Sequence, residues 1–208
     1  MMRLALLTLY LLCLSSLNAQ SFKGGILLGF TASQIDGDSY SGYDKLGLQG
    51  GVFITREILP YLDARFEIKY TSRGARNPAS EDNIGSYLLT LHYVDLPVIA
   101  AFKVKNYGSA DIGLVPGYMF AAGGEDDAGK LPKDYLVEFH KFDLGLLIGL
   151  SIRLTQKASV SLRYSYSIFS IRDLETAGAY YSWFGKIFGQ SRGDFNNYLT
   201  LGINYNLK

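Results

Sequence analysis

Between residues 62 and 73 apolar and polar side chains alternate without a break. Leu62, Ala64, Phe66, Ile68 and Tyr70 point one way, and Asp63, Arg65, Glu67, Lys69 and Arg73 point the other. Period-two alternation of this length is the signature of a β-strand with two unlike faces. Seven further segments read the same way. They cover residues 23–31, 45–57, 87–104, 110–122, 142–153, 159–168 and 198–207, and each reaches the 9 to 11 residues, roughly, that a tilted strand needs to cross a bilayer.

The two faces separate clearly in most of them. In 45–57, Leu46, Leu48, Val52 and Ile54 oppose Gly47, Gln49, Gly51 and Thr55. In 110–122, Ile112, Leu114, Tyr118 and Phe120 oppose Asp111, Gly113, Gly117 and Met119. The segment 142–153 sets Phe142, Leu144, Leu146, Ile148, Leu150 and Ile152 against Asp143, Gly145, Gly149, Ser151 and Arg153. In 159–168, Val160, Leu162, Tyr164, Tyr166 and Ile168 alternate with serines and Arg163, and in 198–207 Leu199, Leu201, Ile203, Tyr205 and Leu207 alternate with Tyr198, Thr200, Gly202, Asn204 and Asn206. In 87–104 the apolar set changes phase. Tyr87, Leu89, Leu91 and Tyr93, expected to face outward to lipid, hand over to Leu96, Val98, Ala100 and Phe102, which predicts a single strand bent by a bulge near Val94 and Asp95.

Connections between these segments are alternately brief (58–60, 105–107, 155–157) and long (32–44, 74–86, 123–137, 173–193). That rhythm predicts an antiparallel up-and-down transmembrane β-barrel of eight strands, all-β, with short periplasmic turns and long outer loops. A soluble lipocalin-like barrel would share the period with its apolar face inside. The non-apolar faces of 110–122 and 142–153, however, are rich in glycine and small residues, which suit a narrow lumen rather than a solvated surface. Aromatic residues fall into two girdles, as a bilayer requires: Phe22, Tyr61, Phe102, Tyr107 and Tyr205 at the short-turn end, and Phe30, Tyr70, Tyr87, Phe120, Phe142 and Tyr166 at the other.

Arg3, the apolar run 4–14 and the small residues ending at Ala19 form an expected cleaved signal peptide, residues 1–19, leaving 20–208 as one barrel domain. The only cysteine, Cys13, lies inside it, after Leu12 rather than the small residue that a lipoprotein signal needs. The mature chain then has no thiol. Losing Arg3 turns 20 basic and 19 acidic residues into an even balance, and no basic excess points to nucleic acid.

Four stretches also resemble a known family: GGILLGFTASQIDGDSYSGYDKLGLQGGVF (residues 24–53), the segment 62–73, LHYVDLP (91–97) and the final LTLGINYNLK. They are similar to the PorT-like outer-membrane β-barrel domain family, small barrels also grouped as porin-family proteins. The Ser33-Gln34-Ile35-Asp36-Gly37-Asp38 stretch, with Gly42 and Tyr43, is the most specific part. The resemblance implies an eight-stranded outer-membrane barrel without a catalytic residue set, some of whose relatives are associated with protein secretion.

Candidate chemistry is thin. The inward charges Asp63, Arg65, Glu67, Lys69, Arg73, Lys103, Asp111, Lys141, Asp143, Arg153 and Arg163 have mixed signs at neighbouring depths. Unpaired charge in so narrow an interior is costly, so an ion-paired polar network that plugs the lumen is expected, with a solute path as the alternative. His92 and His140 stand near Asp95 and Asp143, but no serine is fixed beside either ring, and Gly37-Asp38-Ser39 lacks the Asp and His spacing of an esterase. Glu125, Asp126 and Asp127 read as a solvated loop tip, with divalent-cation bridging to lipopolysaccharide as the less favoured alternative. Neither a cofactor nor a metal site is expected.

The last long connection carries Tyr180, Tyr181, Trp183, Phe184, Ile187 and Phe188, an apolar cluster suited to a partner, to the outer leaflet or to a lid on the barrel mouth. The expected protein is thus a non-enzymatic envelope scaffold or interaction protein of the outer membrane. Its partners would be outer-membrane lipid and envelope or secretion-machinery proteins. A narrow pore or hydrophobic-ligand carrier is the alternative, and a membrane-embedded lipid hydrolase is less favoured.

Overall fold

The computed structural model describes residues 22–38, 42–78, 85–132, 139–172 and 193–207. Ten strands form one antiparallel sheet: β1 (Lys23–Asp36), β2 (Lys45–Leu59), β3 (Leu62–Asn77), β4 (Tyr87–Asp95), β5 (Val98–Val104), β6 (Gly108–Asp126), β7 (Gly129–Lys130), β8 (Phe142–Arg153), β9 (Ala158–Ser167) and β10 (Phe195–Asn206). The order β2-β1-β10-β9-β8-β6-β4-β3-β5, with the added pairings β2–β3 and β6–β5, closes on itself. Since β4 and β5 are halves of one wall strand and β7 only folds back on β6, the ring has eight strands. β1 and β10 close it through an unbroken ladder from Gly25↔Asn206 to Asp36↔Phe195.

Outside, the wall is apolar. Leu28, Leu48, Val52, Ile112, Ile148, Leu150, Leu162, Leu201 and Ile203 are all exposed, and Phe22, Tyr61, Phe102, Tyr107 and Tyr205 ring the short-turn end. Inside lie Lys69, Arg73, Glu67, Asp95, Asp111, Asp143 and Arg163, each buried. A soluble barrel has the reverse arrangement; apolar outside and charged inside is the arrangement for lipid.

Three details of the wall depart from the expected one. First, the segment 87–104 is not one bulged strand. Leu89, Leu91 and Tyr93 are fully buried, and the outward row is Val94, Leu96, Val98 and Phe102, so even numbers face out along the whole length. The chain breaks at Leu96-Pro97, where proline has no N–H to give the ladder. Leu96 N–H still reaches the Pro116 carbonyl and Glu67 N–H the Pro97 carbonyl, which keeps the stave continuous. The extra residue lies on the neighbouring strand: His92 pairs Ala121 and Tyr93 pairs Met119, leaving Phe120 as the bulge.

Second, the outer girdle is smaller than expected. Phe30, Phe120 and Phe142 are exposed, but Tyr87 packs against the buried core and Tyr166, 2 % exposed, stacks on Phe195 at 5.8 Å.

Third, β3 leaves the wall. Its pairing with β2 stops at Gln49↔Thr71, whereas β2 stays on β1 as far as Lys45. Beyond that point Thr71, Ser72, Arg73, Gly74 and Ala75 are all buried. Their backbone bonds to lumen-facing side chains of β1: Thr31 Oγ1 donates to the Ser72 carbonyl, Ser33 Oγ donates to the Gly74 carbonyl at 3.0 Å and accepts from Gly74 N–H at 3.0 Å. The crossing is possible because position 47 is glycine. A methyl there would run into the Ser72 carbonyl oxygen and the Thr31 hydroxyl.

Candidate functional site in the barrel lumen

Alternation puts every second residue of each strand inside, and in a ring this narrow those side chains meet across the axis. Two charge clusters and an apolar layer result. In the cluster nearer the short turns, Glu67 of β3 is bound by Arg65 of the same strand and by Arg163 Nη1 of β9 at 2.8 Å, with Lys69 Nζ at 3.9 Å. Arg163 Nη2 also holds Asp111 Oδ2 at 2.9 Å, and Asp111 accepts from Ser109 at 2.6 Å and Ser151 at 2.9 Å. Arg65 lies over the Phe53 ring at 3.6 Å and donates to Asn204 at 2.7 Å. Lys69 donates to Gln49 at 3.1 Å.

The second cluster centres on Arg73, whose side chain is fully buried. Its Nη2 is 3.2 Å from Asp95 and 3.3 Å from Asp143, and its guanidinium lies 3.6 Å over Tyr93 and 4.8 Å from the Tyr198 ring centre. Asp143 accepts further bonds from Ser167 at 3.0 Å and Asn196 at 2.9 Å. Two carboxylates on one cation, with aromatic faces completing the shell, give a charged cluster that can remain buried. Toward the long loops, Ile35, Ala75, Leu89, Leu91, Tyr93, Met119, Phe139 and Ile171 pack into a continuous apolar layer.

Of the residues expected in the polar network, Arg65, Glu67, Lys69, Arg73, Asp111, Asp143 and Arg163 meet in these clusters. Asp63 sits lower, 3.2 Å from Lys103, which also holds Glu57 at 2.6 Å. Arg153 does not join them. It is the last residue of β8, and its exposed side chain lines the mouth rather than the buried interior. Lys141 is exposed as well. The aromatic loop, Tyr180, Tyr181, Trp183, Phe184, Ile187 and Phe188, lies outside the described residues.

Sequence reading missed Asp95, Asn196, Tyr93 and Tyr198 as members of the Arg73 cluster. Asp95 was the visible signal, a lone charge within a strand otherwise free of acids. The histidines lie away from both clusters. His92 is on the outward face, its Nδ1 2.7 Å from the Tyr70 hydroxyl and its ring beside Phe120, while Asp95 is inside; the two cannot form a catalytic pair. His140 Nδ1 donates to the Ser170 carbonyl at 3.3 Å. Among the described residues no group of three His, Cys, Asp or Glu could hold a metal ion.

One known structure shares this architecture, and two others are similar at lower scores. Neisserial surface protein A is 14 % identical, with 89 % of this chain and 96 % of that one covered and a TM-score of 0.50. Ail of Yersinia pestis, in complex with the heparin analogue sucrose octasulfate, is 13 % identical over 90 % of this chain and 99 % of that one, TM-score 0.48. OprG of Pseudomonas aeruginosa is 11 % identical over 89 % and 94 %, TM-score 0.37. No curated protein matches the chain in sequence. The model of the outer membrane protein beta-barrel domain matches residues 18–173. With a closed eight-stranded ring, an apolar exterior and two buried charge clusters in the lumen, the chain belongs to the outer membrane protein beta-barrel domain family and resides in the outer membrane.

Proposed function

We propose that this barrel works as a non-conducting scaffold in the outer membrane, meeting envelope partners through its loops and turns rather than passing a solute or catalysing a reaction. The observation that carries the reading is the crossing of β3 inside β2: main chain at Ser72 to Gly74, not only side chains, enters the lumen. Below it the Arg73 cluster and the Glu67–Arg163–Asp111 cluster fill the bore in succession. An ion crossing this path would have to displace buried salt bridges and a strand.

Within that reading, the PorT-like resemblance favours partners of the secretion machinery, and the aromatic cluster Tyr180, Tyr181, Trp183, Phe184, Ile187 and Phe188 is the proposed contact. Planar-bilayer recording tests the closed lumen: the purified barrel should give no unitary conductance, and regular steps would end the scaffold reading in favour of a pore. In-cell crosslinking followed by co-purification tests the partner. A crosslinked envelope protein retained by the native chain and lost from Trp183→Ala/Phe184→Ala is expected; unchanged retention would exclude the loop.

A further inference from the structure

The short-turn end of the lumen opens into a vestibule of about 410 Å³ whose floor is the Glu67–Arg163–Asp111 cluster. Six cationic residues line it, Lys23, Arg65, Lys103, Arg153, Lys157 and Arg163, against two acids, Asp63 and Asp111. Adding Glu57 and Glu67, which pair with lining cations from just outside, makes four carboxylates against six cations, an excess of two.

The excess has a definite place. Lys103 is held by Asp63 and Glu57, Arg65 by Glu67, and Arg163 by Glu67 and Asp111. Arg153 and Lys157 are exposed at the rim and have no ion-pair partner among the described residues, and Lys23, also exposed there, has only the electrostatic reach of Glu57, which Lys103 already holds. A concave, one-signed site with low-dielectric walls concentrates counter-charge. Hydroxyls and amides, including Ser159 and Asn206, stand between the cations.

From this arrangement we propose that the vestibule is a binding site for a phosphate-bearing anion entering from the periplasmic side. A phosphate group, whether a singly charged diester or a multiply charged free phosphate, offsets that excess, and the rim side chains are free to close on it. The inference goes beyond the scaffold reading and does not depend on it. Two sources supply the chemistry: a soluble phosphate compound, or the headgroup of an anionic phospholipid, since the Phe22, Tyr61 and Tyr107 girdle sets the mouth at headgroup level.

Calorimetric titration of sodium pyrophosphate into the full barrel, in maltoside micelles at low salt, is the test. Saturable one-to-one binding is expected, weakened at least about ten-fold in Arg153→Gln/Lys157→Gln and unchanged in Arg76→Gln/Lys130→Gln, which lies at the other end. Each variant is first shown to keep the heat-dependent gel mobility of a folded barrel, and Lys23→Gln provides a second single-site probe. Absence of saturable binding, or equal loss in both double variants, overturns the site. Repeating the titration in phosphatidylglycerol and phosphatidylcholine nanodiscs separates the sources: affinity reduced only in phosphatidylglycerol marks the lipid headgroup as occupant, and equal affinity in both marks the soluble anion.

Discussion

Arg163 Nη1 lies 2.8 Å from Glu67 Oε1 although their strands, β9 and β3, are not neighbours in the ring. The pair is a strut across the bore, and Arg163 continues it to Asp111 on β6. Removing Glu67 would leave Arg65, Lys69 and Arg163 facing one another without their shared anion. Glu67→Ala should therefore cost about 3–5 kcal/mol, the usual penalty for stranding buried charge. Urea unfolding in micelles, followed by the circular dichroism of the β-sheet, measures it. A change under 1 kcal/mol, roughly, would mean that the lumen is wet enough to solvate the remaining cations.

Gly47 is the second test, because the path of β3 depends on it. Gly47→Ala puts a methyl group against the Ser72 carbonyl and Thr31 hydroxyl and should cost about 1–3 kcal/mol, with loss of amide protection at Ser72 to Ala75. Gly123→Ala, whose methyl meets nothing within 4 Å, is the matched control and should be nearly neutral. Equal effects at the two sites would remove the argument that main chain blocks the lumen.

How much of this was legible in the sequence follows from what alternation reports. Period two says that a strand has two faces; it says which face is inside only when one of them is polar. Residues 62–70 satisfy that condition, and Glu67 and Lys69 are buried in the lumen with Asp63 and Arg65 on the same face. Residues 87–93 do not. Leu89, Leu91 and Tyr93 were read as lipid-facing because they are the apolar set, yet they form the inner layer while Leu88, Thr90 and His92 take the outer face. Counting by twos back from Val98 and Val94 would have given the right face, at the price of accepting a histidine on it. The crossing of β3 had no local signal at all, since Gly47 reads like any other small lumen residue until Ser72 is placed beside it.

The lipid-facing band makes a depth-dependent prediction. Ile148 is exposed midway along β8, and Leu154 is exposed at the turn that follows. Ile148→Arg should destabilise the folded barrel in bilayers by about 2–4 kcal/mol and Leu154→Arg by about 0–1. Unfolding titrations in phospholipid vesicles check both values. If the two substitutions cost the same, the apolar wall does not lie in hydrocarbon at the assigned depth.

A pH effect is expected in the outer loops. The Ser86 hydroxyl and backbone N–H both donate to Asp127, at 2.6 and 3.0 Å, and these bonds hold its carboxyl below the ordinary value of 3.8. A depressed carboxyl pKa stabilises the folded form above the unfolded value and loses that contribution as pH falls through the folded one. The clasp between the two loops should thus be intact at neutral pH and open in acid. The Ser86 amide resonance should titrate with a midpoint below 3.8, and Asp127→Asn should abolish the titration. A midpoint at or above 3.8 would mean that the clasp does not form in solution.

The β1–β10 ladder has a kinetic consequence. Gly25 and Asn206 are partners at nearly the greatest sequence separation the described chain allows, so the seam is the contact with the largest loop-closure cost. Until β10 docks, β1 and β9 are both open edges, and the struts from Arg163 have no fixed geometry. Such edges recruit other chains when left waiting. The polypeptide must accordingly be kept apart from its copies through synthesis and transit, and it gains its stability in one late, cooperative step. Variants that weaken the seam, such as Gly29→Ala, whose methyl would run into the Leu201 carbonyl oxygen, should lower the yield of inserted barrel far more than the stability of the barrels that do form.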